Sequence, residues 1–381
     1  MSSEYDIHVC MVSDQPAPNL LPALDNALGP KDKKIILLVS PQMQKKADGL
    51  KNVFKKYSLS TDDVVIQDPY NFSQIQEQLY NCLARYENKN IVLNLTGGTK
   101  IMAFAAQSIF ERAGKPMFYV KEQDNSVIIL QGGKEKSHAP LDKRLKIQDY
   151  LLAYGYNSEL SEKKLYNSSD FTFELINNIS KYEGAVSRTN AYVSSAQDRF
   201  SLTFDRTHHD DGTTHFLNLC QKFDLLTAER NQFTFRDEQA RSYVCGGWLE
   251  EHVYGCINQI GKQKIQDKVL NITIKSLPQA VENEIDVAVL ANNYLHIIEC
   301  KTANIGNLKA SDVLYKLNTL KNKLGLRAKC MLVSSRYIDK EYGKKRASDN
   351  AKRAKDYKIK VIQRDELRNL KNHLEKWIAE P

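Results

Sequence analysis

Two acidic residues and a lysine lie on consecutive β-strand patterns in the C-terminal third of the sequence. Residues 284–290 alternate between polar and apolar side chains, and residues 294–301 form a second strand-like run. The pair Asn292-Asn293 stands between them, and because Asn tolerates a positive φ, it predicts a two-residue hairpin turn. In the register that such a turn sets, Asp286 lies directly opposite Glu299.

Facing carboxylates predict a bound cation. Directly opposed residues point to one face with Cβ atoms about 4.5–5.5 Å apart, and two carboxylates that close repel each other unless a cation lies between them. Mg²⁺ or Mn²⁺ suits such hard oxygen ligands, and the carbonyl oxygen of Cys300 could add a further ligand. Lys301 points to the same face as Glu299, where its ammonium could orient a water nucleophile or stabilise developing phosphate charge.

The same residues have a simpler interpretation as charges on a solvent-facing strand, with Lys301 paired across the strands to Glu284. Leu295 and Ile297 share the face of Glu299, however, and this apolar stripe favours a site at the rim of a core.

The arrangement resembles the PD-(D/E)xK nuclease superfamily, whose pattern is an Asp, a variable hairpin and Glu-x-Lys. Here these positions are Asp286 and Glu299-Cys300-Lys301. The superfamily also places a Glu on a preceding helix, which residues 246–253 match through Glu250, with Glu251 as the alternative. The leading Pro of the family pattern is absent, since Ile285 precedes Asp286.

This resemblance implies that the C-terminal domain hydrolyses phosphodiesters with one or two metal ions. The implied metal ligands are Glu250, Asp286, Glu299 and the carbonyl of Cys300, and the implied catalytic residues are Glu250, Asp286, Glu299 and Lys301. Lys316 on the next helix, or Asn304 before it, is expected to contact the nucleic-acid backbone.

A second group of polar residues follows strand patterns in the N-terminal third. The strand at residues 91–95 runs into the glycine-rich segment 96–100, and a helix begins at about Ile101. Backbone N–H groups and the helix dipole attract phosphate at such a loop, although a tight turn without ligand is the alternative. Ser13 and Gln15 follow the first strand, and because ligands of open α/β sheets bind at the carboxyl ends of strands, both loops are expected to line one pocket. Residues 68–71 are expected to form a turn, with a ligand contact as the alternative.

These loops resemble those of CARF (CRISPR-associated Rossmann-fold) domains, which sense cyclic oligoadenylates. The resemblance rests on Ser13-x-Gln15-x-x-x-Asn19 and on Asn94-x-Thr96-Gly97-Gly98-Thr99-Lys100. The whole chain resembles the CARF nuclease effectors of type III CRISPR systems, in which the CARF domain comes first and the nuclease domain last.

The resemblance implies a homodimer that binds a cyclic oligoadenylate on its two-fold axis. Cyclic tetra-adenylate is the implied allosteric activator, and single-stranded DNA, RNA or both are the implied substrate. The implied ligand contacts are Ser13, Gln15, Asn19, Thr96, Gly97, Gly98, Thr99 and Lys100. One alternative is a ligand-responsive, nucleic-acid-binding transcription regulator with a non-catalytic C-terminal domain, and another is a CARF domain that cleaves its own ligand.

The elements that position these residues predict an α/β protein of three parts. Strands and helices alternate up to Leu130, which predicts a Rossmann-like domain with a parallel sheet over residues 1–150. Residues 131 to about 165 are polar and are interpreted as a connector. Residues 151–243 are expected to form a small α+β connector unit whose pattern is compatible with a winged helix. Residues 244–381 are expected to form an α/β domain like that of restriction endonucleases.

Composition narrows the class of protein. The 381 residues are 42% hydrophobic and 26% charged, with no apolar run long enough to span a bilayer and no signal-peptide pattern, so a cytoplasmic protein without a membrane partner is expected. The seven cysteines form no CxxC pair, which predicts buried free thiols. The net charge of +8 and the basic run over residues 316–360 suit a polyanionic partner, although a solvated helix face is the alternative.

Overall fold

The computed structural model describes residues 4–162, 165–195, 201–203, 211–229, 232–261, 263–276, 281–302, 307–325, 327–338 and 343–380. The strands are β1 (Ile7–Met11), β2 (Lys34–Val39), β3 (Ser60–Val65), β4 (Ile91–Asn94), β5 (Met117–Lys121), β6 (Ser126–Gln131), β7 (Lys134–Pro140), β8 (Tyr156–Leu160), β9 (Ser201–Thr203), β10 (Leu226–Glu229), β11 (Gln232–Phe235), β12 (Asp267–Ser276), β13 (Glu282–Ala291), β14 (Tyr294–Lys301), β15 (Lys329–Ser334) and β16 (Ile359–Gln363). The helices are α1 (Ala17–Ala23), α2 (Gln44–Lys56), α3 (Phe72–Arg85), α4 (Lys100–Arg112), α5 (Ile147–Ala153), α6 (Ser169–Asn177), α7 (Ile179–Ser195), α8 (Asp211–Lys222), α9 (Glu238–Ser242), α10 (Trp248–Asn258), α11 (Asn307–Lys323), α12 (Gly343–Asp356) and α13 (Leu370–Ala379).

The first sheet has the strand order β3-β2-β1-β4-β5-β6-β7, and its first five strands are parallel. Helices α3 and α4 pack on one face, and α1, α2 and α5 pack on the other. Because both faces are covered, a strand such as β2 is apolar almost throughout. The predicted Rossmann-like α/β fold is confirmed.

The segment interpreted as a connector contains two strands, so that interpretation is wrong. Strand β7 pairs antiparallel with β6 at the edge of the first sheet, and β8 pairs antiparallel with β12 in another sheet. Nearly every residue of β7 is exposed. An edge strand with charged side chains needs no apolar alternation, which is why its sequence resembles a connector.

The C-terminal sheet has the strand order β16-β15-β14-β13-β12-β8. Strands β13 and β14 form the predicted hairpin, with Ala291 paired to Tyr294 and with Asn292 and Asn293 at φ of 51° and 61°. Strands β14, β15 and β16 run parallel. Helix α11 covers one face of this sheet, and α10 and α13 cover the other.

The middle of the chain combines α6, α7, α8 and α9 with a small antiparallel sheet of order β10-β11-β9. Its apolar residues share a core with α10 and α13. The boundaries at residues 150 and 243 stay predictions, as does the winged-helix likeness.

One hydrophobic core connects the two large sheets through α5. Leu151 of this helix is buried in the same cluster as Leu50 of α2 and Leu317 of α11. The hairpin tips of the two sheets also meet, since the Asn293 side chain donates a 3.1 Å hydrogen bond to Asn125 Oδ1. The N-terminal and C-terminal sheets are therefore connected by direct packing and by a hydrogen bond.

Two findings concern the expected cellular setting. No helix among the described residues is long and apolar enough to cross a membrane. The seven cysteines, all within the described ranges, are free, and every one except the half-buried Cys245 is buried.

Candidate functional site

The hairpin of β13 and β14 carries the predicted carboxylates into the rim of the sheet. Asp286 is 8% exposed and Glu299 is 2% exposed. The ladder between the strands runs as far as the pair Val287–Ile298, and just beyond it Asp286 Oδ2 accepts a 2.6 Å hydrogen bond from the backbone N–H of Cys300. One carboxylate is therefore fixed to the neighbouring strand while the other points into the site.

Two lysines meet the buried Glu299 carboxylate. Lys301 Nζ lies 2.7 Å from Glu299 Oε1 and 4.0 Å from Asp286 Oδ2. Lys316 reaches the site from α11, with its Nζ 3.1 Å from Glu299 Oε1 and 3.0 Å from Glu299 Oε2. A buried carboxylate is costly without such partners, so the two ammonium groups offset its burial.

The pKa values reflect the crowding of negative charge. Burial raises the pKa of Asp286 to about 7, with contributions from Glu299 and Glu250 that exceed the opposing effect of Lys301. For Lys301, burial works to lower the pKa, but the charges of Glu299 and Asp286 outweigh it and raise the pKa above its ordinary value. The site therefore favours an additional positive charge.

Helix α10 presents the third predicted carboxylate. Trp248, Leu249 and Val253 are buried, as the predicted packing face requires. Glu251 accepts hydrogen bonds from the backbone N–H groups of residues 166 and 167, at 2.8 and 3.0 Å. Glu250 is the one whose charge acts on Asp286, so the geometry favours Glu250 over Glu251.

A glycine lets α10 start beside the site. Gly246 adopts a φ of +153°, a backbone conformation that side chains rarely take, in the π-helical turn Tyr243–Gly247 before the helix. A Cβ at this position would lie 3.2 Å from Oγ1 of Thr302, the residue after Lys301. The turn therefore sets the distance between α10 and β14.

The carboxylates are of the right kind for a hard cation, although they are not gathered around one point. Among the described residues, no three His, Cys, Asp or Glu side chains lie close enough together to hold a metal ion. The Cys300 thiol is buried and burial raises its pKa well above the ordinary value, which leaves the predicted carbonyl as the donor of this residue. Asn304 lies outside the described residues.

A cavity of about 440 Å³ opens at the carboxyl ends of the strands in the first sheet. Of the predicted ligand residues, Ser13, Gly98 and Thr99 line it. Thr99 also caps α4 by accepting a 3.1 Å hydrogen bond from Met102 N, and it donates to the carbonyl of Pro69 at 2.9 Å. The cavity thus contains a helix N-terminus, where anions bind favourably.

Other predicted ligand residues brace the loops instead of lining this cavity. Asn19 is buried, and its side chain donates to Met11 O and accepts from Asn94. Thr96 Oγ1 accepts a 2.8 Å hydrogen bond from Val120 N. The backbone at Gly97 lies so close to Met11 O that a Cβ would collide with it.

Gln15 and Lys100 do not line this cavity. Gln15 is half-buried, and its Oε1 accepts a 3.3 Å hydrogen bond from the hydroxyl of Tyr154. Lys100 is exposed in the first turn of α4.

The sequence pattern did not point to Ser40, Gln42 and Gln67, which follow β2 and β3 and line the same cavity. Asp68, Pro69 and Tyr70, also after β3, line it as well. The rule that ligands bind at carboxyl ends of parallel strands applies to these loops too, but they carry no glycine pattern. Residues 68–70 do face this cavity, as the alternative of a ligand contact requires.

Two family models match this chain. A family model described as the Card1 CARF domain matches residues 7–150, and one described as the Card1-like endonuclease domain matches residues 237–380. Together they cover about three quarters of the chain. No curated protein sequence matches it.

Solved structures are similar over the whole length. Protein VC1899 from Vibrio cholerae has a TM-score of 0.86 and 26% identity, with 98% of each chain covered. Can2 from Sulfobacillus thermosulfidooxidans, solved in complex with cyclic tetra-adenylate, has a TM-score of 0.78 and 27% identity, over 99% of this chain and 100% of that chain. A type III CRISPR defence DNA nuclease activated by cyclic oligoadenylate shares the fold, with a TM-score of 0.52 and 16% identity over 87% of this chain and 45% of that chain.

Asp286→Asn is expected to change how the stability of the metal-free protein depends on pH. The folded-state pKa of Asp286, about 7, lies above its ordinary value of 3.8. The stabilisation that protonated Asp286 contributes to the folded protein is therefore fully present below its ordinary pKa of 3.8. It is lost as the pH rises through the folded-state pKa of about 7. Thermal unfolding in EDTA should show a larger loss of Tm between about pH 5 and about pH 8 for the wild type than for the variant.

Asp312→Asn, on the exposed side of α11, is the matched control and should retain the wild-type pH dependence. Parallel curves for wild type and Asp286→Asn would contradict the electrostatic picture of the site.

Proposed function

Because the chain belongs to the Card1-like CARF nucleases of type III CRISPR systems, we propose that it is an endonuclease switched on by a cyclic oligoadenylate in antiviral defence. The observation that carries the proposal is the contact of Lys301 with the buried carboxylates of Asp286 and Glu299 in a chain that also has a CARF domain. The alternative of a transcription regulator is not favoured, because a non-catalytic domain has no need of two buried carboxylates and a lysine at the rim of its core.

The proposed catalytic residues are Glu250, Asp286, Glu299 and Lys301, and the proposed metal ligands are the three carboxylates and the Cys300 carbonyl. Mg²⁺ or Mn²⁺, when bound, would activate a water molecule and polarise the scissile phosphate. The raised pKa of Asp286 supports this, since a carboxylate that is costly to ionise alone is stabilised by a divalent cation. Lys301 would then hold the water or the phosphate oxygen, as its half-buried ammonium already faces both carboxylates.

The proposed activator is cyclic tetra-adenylate, bound at the cavity of the first sheet. Can2, which is similar over its whole length, was solved with this ligand, and that similarity supports the choice of ring. The helix N-terminus at Thr99 and the hydroxyl of Ser13 offer donors to phosphate groups. Tyr70, which is exposed at the cavity, offers a ring on which a base can stack.

The proposed homodimer would form through the outer face of α3 and α4. Phe104 is 60% exposed and Tyr80 is 67% exposed. A 2.6 Å hydrogen bond from Gln76 to Ser108 joins α3 and α4, and Tyr80 and Phe104 each lie one helical turn from it, towards opposite ends of the helix pair. Large exposed aromatic side chains that share a surface are typical of protein interfaces.

The proposed substrate is single-stranded DNA, RNA or both. Helix α12 packs against α11, which carries Lys316 to the active site. Lys352 and Lys355 of α12 are exposed and add positive charge to the surface of this helix. Such charges bind phosphates without regard to sequence.

A gel assay tests the function directly. The protein is incubated with supercoiled plasmid, single-stranded DNA and RNA, in Mn²⁺ or Mg²⁺, with and without cyclic tetra-adenylate. Cleavage should require both metal and activator and should fall at least about 10³-fold in Glu299→Gln.

Glu282→Gln serves as the control because Glu282 is exposed on the same hairpin. It should cleave like the wild type. No cleavage under any condition, or equal cleavage by Glu299→Gln, would contradict the proposed nuclease activity.

Phe104→Glu is expected to yield a monomer, because a charge in a buried apolar interface is left without a partner. Multi-angle light scattering should give twice the chain mass for the wild type and the single mass for the variant. Phe173→Glu, at a 70% exposed position on α6, should remain dimeric. A dimeric Phe104→Glu would show that the partners meet through another surface.

A further inference from the structure

Lys316 satisfies all of its hydrogen-bonding capacity at the active site. Its ammonium donates to both oxygens of Glu299, at 3.1 and 3.0 Å, and to the carbonyl of Glu284 at 3.2 Å. An ammonium group has three donors, so none remains for a phosphate. In this arrangement the side chain covers the carboxylate oxygens that a divalent cation would need.

The two lysines at Glu299 differ in how they can move. Lys301 lies on the same strand as Glu299, and the two residues must move together. Lys316 comes from α11, whose buried Leu314, Leu317 and Leu320 pack in the core shared with α5. The position of α11 relative to β14 therefore decides whether Glu299 is covered.

The far end of α11 is held by a tyrosine pair, Tyr150 and Tyr154. The Tyr150 hydroxyl donates a 2.9 Å hydrogen bond to Leu324 O, and the two rings lie 4.9 Å apart. Gly325 has a φ of +121°, and a Cβ there would collide with the Tyr154 hydroxyl and lie 2.9 Å from that of Tyr150. Because the tyrosine pair and the end of α11 are closely packed, a displacement of one is transmitted to the other.

The tyrosine pair also contacts the loop that follows β1. The Tyr154 hydroxyl donates to Gln15 Oε1 at 3.3 Å. Ser13, which lines the ligand cavity, donates from its hydroxyl to the carbonyl of Gln15 at 3.3 Å. The Gln15 Nε2 group is buried and has no hydrogen-bond partner among the described residues, so it is a donor that a ligand acceptor can satisfy.

We propose that Lys316 is a positioning residue that covers Glu299 in the resting protein, and that the activator uncovers Glu299 through Gln15, the tyrosine pair and α11. This inference rests on the proposed function and adds the regulation of its active site. A ligand that recruits the Gln15 amide changes its bond to Tyr154 and shifts the tyrosine pair. The end of α11 must follow because Tyr150 donates to Leu324 O and Gly325 leaves no room for a Cβ beside the two hydroxyls, and Lys316 then withdraws from the carboxylate.

In this regulation, the activator acts on the active site by changing its affinity for metal. An ammonium and a divalent cation cannot occupy the same two oxygens of Glu299, so each excludes the other. Withdrawal of Lys316 thus raises the affinity for metal, and the size of that effect is the coupling between the two sites.

Mn²⁺ binding, measured by isothermal titration calorimetry on the full chain without nucleic acid, tests the proposal. In the wild type, cyclic tetra-adenylate should tighten Mn²⁺ binding about tenfold. Lys316→Gln should bind Mn²⁺ about tenfold more tightly without the activator and should respond little to it. Tyr154→Phe removes the hydroxyl that contacts Gln15, and it should still bind cyclic tetra-adenylate but lose most of the tenfold response.

Two matched control variants test whether the response depends on Lys316 and Tyr154 themselves or on any substitution in the same elements. Lys323→Gln, at an exposed position on α11, and Tyr156→Phe, two residues beyond the tyrosine pair, should both retain the wild-type response. Thermal unfolding checks that all four variants fold.

The outcomes distinguish failure of this inference from failure of the proposed function. A wild type whose Mn²⁺ affinity is unchanged by cyclic tetra-adenylate, while that ligand still activates cleavage, would overturn the inference alone. A wild-type response retained in either Lys316→Gln or Tyr154→Phe would also overturn it. A wild type that binds neither Mn²⁺ nor cyclic tetra-adenylate would remove the proposed function as well.

Discussion

Two carboxylates that are buried beside each other constrain the whole C-terminal half of the chain. Asp286 and Glu299 lie at a rim where water cannot screen them, so the fold must supply compensating groups. The backbone N–H of Cys300 serves the first, and Lys301 and Lys316 serve the second. These polar contacts join β13, β14 and α11 in addition to their apolar packing. Even without a bound cation, a site assembled in this way favours additional positive charge.

The continuous core through α5 gives this site a connection to the ligand cavity. If the CARF and nuclease domains were joined only by a linker, each could move without the other. Here α5 contacts both, and Tyr150 and Tyr154 touch the end of α11 on one side and Gln15 on the other. Packed cores shift between discrete arrangements, so a small displacement at one site can change the occupancy of the other.

Local sequence rules predicted the parts of the molecule that depend on local geometry. The turn at Asn292-Asn293 fixed the hairpin register because Asn accepts a positive φ, and the register brought Asp286 towards Glu299. Strand β7 was missed since an exposed edge strand lacks an apolar pattern. The inward positions of Asn19 and Thr96, and the contact of Lys316 with Glu299, depend on how separate elements pack, which spacing along the chain does not encode.

The most direct test of coupling between the two sites is the affinity of the wild-type protein for cyclic tetra-adenylate, measured by calorimetry in saturating Mn²⁺ and again in EDTA. Binding free energies at coupled sites are reciprocal, so a metal that requires an uncovered Glu299 must favour the activator-bound form by the same factor. Mn²⁺ should therefore tighten activator binding about tenfold. Equal affinities in Mn²⁺ and EDTA would mean that the CARF cavity and the nuclease carboxylates are energetically independent, and would contradict the proposed coupling.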